Sequence, residues 1–162
     1  MDDKKYIFLD IDGVMATFNQ FDSKKHPEYD CYPFDNKCVD VLNDITDQTN
    51  AIIILTSDWK LRYYQALMNK IFKWNGVKKP VSNYTPSLWG SQFKSLQDLE
   101  KCRATEIITF LNERNLINNK WVAIDDLDMS PFLPDKNFVH TPRGNEGIKQ
   151  TGIKEKILKR LI

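Results

Sequence analysis

Short, continuously apolar stretches alternate along the chain with segments in which apolar residues recur at every third or fourth position. The apolar stretches are rich in β-branched residues, as in residues 51–55 (AIIIL), and this composition is typical of buried strands. The wider spacing, seen in Val39, Leu42 and Ile45, is typical of helices that bury one face. The sequence therefore predicts strands and helices in alternation.

The order of these segments predicts an α/β fold. Continuously apolar strands separated by helices favour a parallel sheet covered on both faces. The predicted architecture is a Rossmann-like, three-layer α/β/α sandwich with a central, mainly parallel sheet. Predicted strands lie at residues 6–9, 51–55, 121–124 and 138–140, with a short edge strand at 81–84. Predicted helices follow an N-cap at Asp35, span 61–71 and end near Asn75-Gly76, span about 103–116, and follow Gly152.

The sequence contains no internal repeat, and no linker divides it, so residues 1–162 are predicted to form a single domain. Two segments lack regular patterning. Residues 14–34 are long enough for a flap, and residues 75–100 are predicted to be an irregular insertion.

Composition and charge narrow the class of protein. Hydrophobic residues make up 41% of the chain, charged residues 28%, and the net charge is +1, so no overall field attracts nucleic acid or membranes. The longest apolar run, residues 51–55, is far shorter than the ~20 residues of a membrane span, and the polar N-terminus does not resemble a signal peptide. We therefore expect a cytoplasmic protein without membrane association. Its cysteines, Cys31, Cys38 and Cys102, lack metal-ligand spacing and are expected to be reduced.

Polar clusters follow three of the predicted strands, at residues 10–12, 56–58 and 125–126. Ligands of open α/β sheets bind beyond the carboxyl ends of the strands, and a central first strand would bring all three clusters together. The carboxylates would repel one another unless a cation neutralised them, and Mg²⁺ is the oxygen-preferring dication that suits them. Each cluster alone is more typical of a turn or a helix cap. Together they predict a catalytic centre.

Three motifs carry a resemblance to a known family. The first is FLDIDGV at residues 8–14, which resembles the first motif of the haloacid dehalogenase (HAD) superfamily. ILTS at residues 54–57 is similar to the second motif, and VAIDD at residues 122–126 is similar to the fourth. The resemblance spans essentially the whole chain. It implies a HAD phosphatase with a minimal cap, because neither irregular segment is predicted to be a separate cap domain.

The resemblance implies a role for each motif residue. Asp10 would attack phosphorus and form an aspartyl-phosphate, and Asp12 would act as general acid and base. Superfamily members that break carbon–halogen bonds lack this second aspartate, so Asp12 favours phosphoryl transfer. Thr56 and Ser57 would hold the phosphoryl oxygens. The implied Mg²⁺ ligands are Asp10, the backbone carbonyl of Asp12, Asp125 and Asp126.

The third motif of the superfamily supplies a cation. RATEI at residues 103–107 is similar to the Arg-x-x-Glu-Ile pattern of one branch, which includes the HAD domain of Swiss-army-knife RNA repair proteins and resembles the phosphatase half of polynucleotide kinase/phosphatase. TSDWK at residues 56–60 is similar to the Ser-Ser-x-Trp-Arg run of that branch. Arg103 is the favoured cation, Lys101 is the reserve, and Lys94 lies in the same segment.

Substrate identity remains open at the level of sequence. The branch implies a phosphorylated substrate such as a DNA or RNA end or a nucleotide. The alternatives are a small metabolite, a phosphoprotein, or a catalytically silent HAD fold used for binding, and the oligomeric state is also open. Aromatic residues of the two irregular segments could stack on a base, but packing onto the sheet is the favoured interpretation. They are Phe18, Phe21, Tyr29, Tyr32, Tyr84, Trp89 and Phe93.

Overall fold

Five parallel strands form one sheet in the computed structural model, which describes residues 3–88 and 93–162. The strands are β1 (Lys5–Leu9), β2 (Ile52–Leu55), β3 (Val81–Tyr84), β4 (Lys120–Asp125) and β5 (Phe138–His140). The helices are α1 (Asn36–Thr49), α2 (Trp59–Arg62), α3 (Gln65–Trp74), α4 (Leu96–Glu113) and α5 (Ile153–Leu161). Short 3-10 turns lie at Phe18–Asp22, Asp135–Asn137 and Gly147–Lys149.

The strand order β3-β2-β1-β4-β5 places the first strand at the centre of the sheet. All neighbouring strands are parallel, and Leu9 at the end of β1 lies beside Leu55 of β2 and Ile124 of β4. The carboxyl ends of β1, β2 and β4 therefore meet at one edge. This confirms the predicted parallel α/β sheet and its central first strand.

Alternating side chains of β1 supply a core on each face of the sheet. Ile7 and Leu9 pack with α1, α3 and α5 on one face, whereas Tyr6 and Phe8 pack with α4 on the other. The Phe8 ring meets the Phe110 ring of α4 edge to face, with centroids 5.6 Å apart. Helices cover both faces, and the predicted three-layer sandwich is confirmed.

The predicted helix starts were partly right. Asp35 caps α1, accepting hydrogen bonds from the backbone N–H groups of Lys37 and Cys38. The predicted start of the helix near residue 103 was wrong, because α4 begins at Leu96, where the Ser95 hydroxyl accepts a hydrogen bond from the Asp98 N–H. Leu96 and Gln97 are exposed and Asp98 and Leu99 are half-buried, so the buried face of α4 begins only at Cys102.

The predicted helix at residues 61–71 is interrupted. It consists of α2 and α3, with extended backbone at Tyr63 (φ −120°, ψ 124°). The Tyr63 side chain is buried, and its hydroxyl donates to the Tyr29 carbonyl at 2.7 Å. A continuous helix would carry this side chain elsewhere, so the contact with the flap accounts for the break.

The described parts of residues 75–100 are more regular than the prediction of an irregular insertion. The predicted edge strand at Val81–Tyr84 is present as β3, and the segment also includes the start of α4. Side chains of α3 bind the strand, since Asn69 and Gln65 both bond the backbone of Val81. These hydrogen bonds come from side-chain amides that are distant in sequence, so no local apolar pattern marks the strand. Trp89 lies outside the described residues.

Among residues 3–88 and 93–162, none of the helices combines the length and hydropathy that crossing a membrane requires.

Candidate active site

Three aspartate side chains meet at the carboxyl edge of the sheet. Asp10 follows β1, and its N–H donates to the Ile124 carbonyl at 3.1 Å; Asp125 ends β4, and Asp126 follows it. Carboxylate oxygens of the three residues lie within 4.8 Å of one another. Asp10 and Asp125 are buried and Asp126 is half-buried. Hard oxygen donors at this spacing suit Mg²⁺.

Burial and mutual repulsion shift the pKa values of the clustered carboxyl groups. Burial raises the pKa of Asp10 well above its usual range, and the negative charge of Asp125 raises it further. Burial and the charge of Asp125 also raise the pKa of Asp126 to about 6. Both shifts disfavour the ionised carboxylates. A cation bound among them would favour ionisation.

Arg103 extends from α4 into the same cluster. Its Nη1 lies 3.3 Å from Asp10 Oδ1 and donates to both Asp125 oxygens at 3.2 and 3.1 Å. Its Nη2 donates to Asp58 Oδ1 at 3.0 Å. Burial lowers the pKa of Arg103, but the carboxylates of Asp125, Asp10 and Asp58 outweigh burial and raise it overall. Arg103 is thus a fixed cation beside Asp10.

The other two candidate cations lie apart from the aspartates. Lys101 is exposed and borders a separate depression with Phe93, Asp98 and Thr105. Lys94 is also exposed, just before α4. The structure brings Arg103 to the cluster and leaves Lys101 outside it.

Asp12 lies on the side of the site that is open to solvent. The residue is accessible from solvent, and it does not belong to the group of three clustered aspartates. Surrounding protein atoms partly shield its carboxyl group from water, and this desolvation raises the pKa of Asp12. A hydrogen bond from the Trp59 side chain opposes the rise, and the charge of Asp58 adds to it. A raised pKa suits a carboxyl group that must donate a proton. Sequence reasoning gave Trp59 no role, although it stands in the TSDWK run.

Thr56 and Ser57 lie where β2 ends. The Thr56 N–H donates to the Leu9 carbonyl at 3.0 Å and continues the sheet ladder. The Thr56 hydroxyl is buried and has no hydrogen-bond partner among the described residues, a state that calls for an explanation such as a ligand. The Ser57 hydroxyl accepts from the Trp59 N–H at 3.3 Å, so the alternative interpretation of a turn-stabilising residue also holds for Ser57.

Gly13 allows the loop after β1 to approach the loop after β4. Its φ is +78°, and a Cβ there would lie 2.4 Å from Asp126 Oδ2. The Thr141 hydroxyl donates to the Gly13 carbonyl at 3.1 Å, and His140 Nε2 lies 2.8 Å from the Asp126 carbonyl. These two contacts hold the acidic loops in place. Sequence reasoning assigned no catalytic role to His140, because it is a single histidine without a paired acid nearby in sequence, and it did not consider Thr141.

A second, buried charge cluster lies beside the active site. Lys60 Nζ donates to Glu106 Oε2 at 2.5 Å, to Thr85 Oγ1 at 3.0 Å and to the Pro86 carbonyl at 3.0 Å. Glu106 Oε1 accepts from the Leu88 N–H at 3.0 Å. The side chains of Lys60 and Glu106 are 2% and 3% exposed. This pair joins α2 to α4.

A small depression of about 150 Å³ is bordered by four aspartates together with Ser57 and Arg103. These aspartates are Asp10, Asp12, Asp58 and Asp126. The depression is large enough for a phosphoryl group, and its lining includes carboxylates, a guanidinium group and a hydroxyl group. With a bound cation to offset the carboxylates, this set can orient a phosphate ester.

In the comparison with protein families, residues 6–152 match the family described as the HAD domain in Swiss Army Knife RNA repair proteins. Searches of curated proteins and of solved structures found no significant match. The family match covers nearly the whole chain and confirms the resemblance that the motifs indicated. A family of this kind implies an enzyme of the hydrolase and phosphatase type. The chain belongs to the HAD domain family of Swiss Army Knife RNA repair proteins, within the HAD superfamily.

Proposed function

We propose that this protein is a Mg²⁺-dependent phosphomonoester hydrolase that works through an aspartyl-phosphate on Asp10. The observation that carries the proposal is the convergence of the Asp125 and Asp126 carboxylates and the Arg103 guanidinium around Asp10 at the carboxyl edge of the sheet. Charge of both signs is needed there, because phosphoryl transfer depends mainly on positioning and electrostatic stabilisation.

The first half of the reaction transfers the phosphoryl group to the enzyme. An Asp10 carboxylate oxygen forms a bond to phosphorus while the bond from phosphorus to the ester oxygen breaks. Asp12 donates its proton to the departing oxygen, which leaves as an alcohol. Arg103, the Thr56 hydroxyl and the Ser57 amide would hold the non-bridging phosphoryl oxygens. The buried, unpartnered Thr56 hydroxyl supports its part in this assignment.

The second half regenerates the enzyme. Asp12, now ionised, takes a proton from a water molecule whose oxygen attacks phosphorus. The acyl phosphate bond breaks, inorganic phosphate leaves, and Asp10 returns to a carboxylate. The same group thus serves first as acid and then as base.

Asp10, Asp125 and Asp126, with the backbone carbonyl of Asp12, would hold the Mg²⁺ ion. When bound, Mg²⁺ supplies positive charge that offsets the carboxylate and phosphate charges. Nucleic-acid ends or nucleotides are the proposed substrates, supported by the family, whose description places the domain in RNA repair proteins. The clustered aspartates favour an active enzyme over a catalytically silent fold used for binding.

Variants of the two aspartates that follow β1 test the mechanism. Asp10→Asn is expected to abolish both turnover and the phosphoenzyme, because it lacks the attacking oxygen. Asp12→Asn is expected to slow turnover by roughly 100- to 10,000-fold, with a smaller loss for p-nitrophenyl phosphate, whose leaving group needs little protonation. Rapid-quench measurement with p-nitrophenyl phosphate should show a product burst for Asp12→Asn and none for Asp10→Asn.

Chelation provides the companion measurement. Hydrolysis of p-nitrophenyl phosphate should stop in EDTA and return with excess Mg²⁺. Full activity in EDTA, or a burst with Asp10→Asn, would contradict the proposed reaction. A panel of sugar phosphates, phosphopeptides and phosphorylated nucleotides then ranks the substrates.

A further inference from the structure

A cleft of about 500 Å³ opens next to the catalytic depression. Asp12 and Asp58 border both spaces, so the cleft is continuous with the site of phosphoryl transfer. Asp12 is the group assigned to protonate the departing oxygen. The part of the substrate attached to that oxygen must therefore extend into the space beside Asp12, which is this cleft.

One wall of the cleft is aromatic. Phe18 and Phe21 of the flap are 56% and 55% exposed. Their ring centroids lie 5.9 Å apart, and the Phe21 and Tyr32 centroids lie 5.2 Å apart. The interpretation that these flap aromatics pack onto the sheet was wrong for Phe18 and Phe21, because half of each side chain faces solvent. Clustered exposed aromatic rings beside an active site indicate a ligand surface.

Two cations stand at the same cleft. Lys25 Nζ lies 3.7 Å from Asp30 Oδ1, and Arg62 Nη2 lies 2.8 Å from Asp30 Oδ2. The Lys25 and Arg62 side chains are 46% and 54% exposed. They share the Asp30 carboxylate, so this group of three carries net positive charge and can accept an anion.

We propose that this cleft binds the terminal nucleotide of a phosphorylated oligonucleotide, with the base against the Phe18–Phe21–Tyr32 wall and the adjacent phosphodiester at Lys25 and Arg62. The inference rests on the proposed function, because it uses Asp12 as the acid for the leaving group. A flat ring matches the aromatic wall. A second anion, separate from the transferred phosphate, matches the cations. A sugar phosphate lacks the ring, and a mononucleotide with one phosphate lacks the second anion.

Three substrates separate these contributions: a terminally phosphorylated dinucleotide, a mononucleotide and acetyl phosphate, which has no ring. Both the 3′- and 5′-phosphorylated dinucleotides are assayed, and the faster is used. We expect a higher kcat/KM for the dinucleotide than for the mononucleotide. Acetyl phosphate, whose acetate leaving group needs little protonation, serves as the ring-free reference against which variants are compared. Hydrolysis of acetyl phosphate that requires Mg²⁺ supports the proposed function even when this order fails, so the two proposals can fail separately.

Phe21→Ala tests the wall. The ratio of kcat/KM for the dinucleotide to that for acetyl phosphate is expected to fall roughly 5- to 150-fold, the factor that a stacking free energy of about 1–3 kcal/mol represents. Phe21→Trp should restore the ratio. Tyr64→Ala is the matched control, since Tyr64 is 67% exposed and does not border the cleft. An unchanged ratio in Phe21→Ala overturns the proposal.

Lys25→Ala tests the second anion. It is expected to remove most of the preference for the dinucleotide over the mononucleotide and to reduce the dependence of dinucleotide KM on salt. Lys24→Ala, an exposed neighbour outside the cleft, is the control. Equal kcat/KM for the dinucleotide and a sugar phosphate or phosphopeptide in the wild-type protein would also overturn the inference.

Discussion

Two charge clusters lie one turn apart on α4 and differ in their balance. Glu106 meets Lys60, whose ammonium group has three hydrogen-bond acceptors around it. Arg103 meets Asp10, Asp58 and Asp125, with Asp126 close by. The first cluster pairs one positive with one negative charge, whereas the second has an excess of negative charge. A balanced cluster is complete within the protein, and an unbalanced one is suited to a cationic ligand.

The two clusters also explain why two sequence motifs occur together. TSDWK supplies Lys60, and RATEI supplies both Arg103 and Glu106. The contact of Lys60 with Glu106 fixes α2 against α4. This places Arg103 over the aspartates and Trp59 beside Asp12. Lysine stands where the related branch has arginine, and its ammonium group is sufficient for the pairing seen here.

The largest effect on stability is expected from breaking the balanced cluster. Lys60→Met leaves the Glu106 carboxylate buried without its cation and should lower the free energy of unfolding by about 3–5 kcal/mol. Urea unfolding followed by circular dichroism measures the change. The double variant Lys60→Met/Glu106→Gln removes both charges, and it should recover much of the loss.

An exposed lysine on α3 provides the matched control, since Lys70→Met removes a solvated charge and should change stability by less than about 0.5 kcal/mol. Equal losses in Lys60→Met and Lys70→Met would show that the buried pair does not stabilise the fold.

Substitutions in the unbalanced cluster around Arg103 are expected to lower catalytic activity. Arg103→Ala is expected to lower kcat/KM for p-nitrophenyl phosphate by roughly 100- to 1,000-fold, because it removes a fixed cation beside the attacking oxygen. Lys101→Ala, two residues away and exposed, should be nearly neutral. Steady-state kinetics in saturating Mg²⁺ distinguishes them. A severe loss in Lys101→Ala with a mild one in Arg103→Ala would reverse the assignment.

The parts of the fold that the sequence predicts are those set by local patterns. Buried strands are short apolar runs, so β1, β2 and β4 were evident, as were the aspartates that follow them. The parallel order then brings Asp10, Asp125 and Asp126 together without further information. Arg103 could be chosen only from the motif, because Lys94 and Lys101 stand equally near in sequence.

Contacts between distant residues could not be predicted in this way. The pair Lys60–Glu106 spans 46 positions, and the hydrogen bond from Tyr63 to the Tyr29 carbonyl spans 34. Neither contact leaves a local pattern, yet one joins two helices and the other accompanies the break between α2 and α3. The flap was interpreted from composition, which does not show that Phe18 and Phe21 face a cleft.

The smallest expected effect concerns pH and Mg²⁺. Since the folded pKa of Asp126 is raised from 3.8 to about 6, its contribution to stability is fully present below about pH 4 and is lost as the pH rises through 6. Mg²⁺ binds the ionised carboxylates, so it should stabilise the protein more at pH 7.5 than at pH 5. At tenfold excess over its Kd, the gain is about 1.4 kcal/mol, or roughly 3–6 °C in Tm for a chain of this size.

Asp126→Asn sharpens this last prediction because it removes the titrating group and one Mg²⁺ ligand while keeping the side-chain shape. In EDTA, the variant should show a flatter dependence of Tm on pH between 4 and 7 than the wild-type protein. In Mg²⁺, its Tm should rise less at pH 7.5. Asp40→Asn, an exposed change on α1, should follow the wild-type protein in both series, measured by differential scanning fluorimetry. If Mg²⁺ raised the Tm of Asp126→Asn as much as that of the wild-type protein, Asp126 would not be a ligand, and the excess of negative charge around Arg103 would need another explanation.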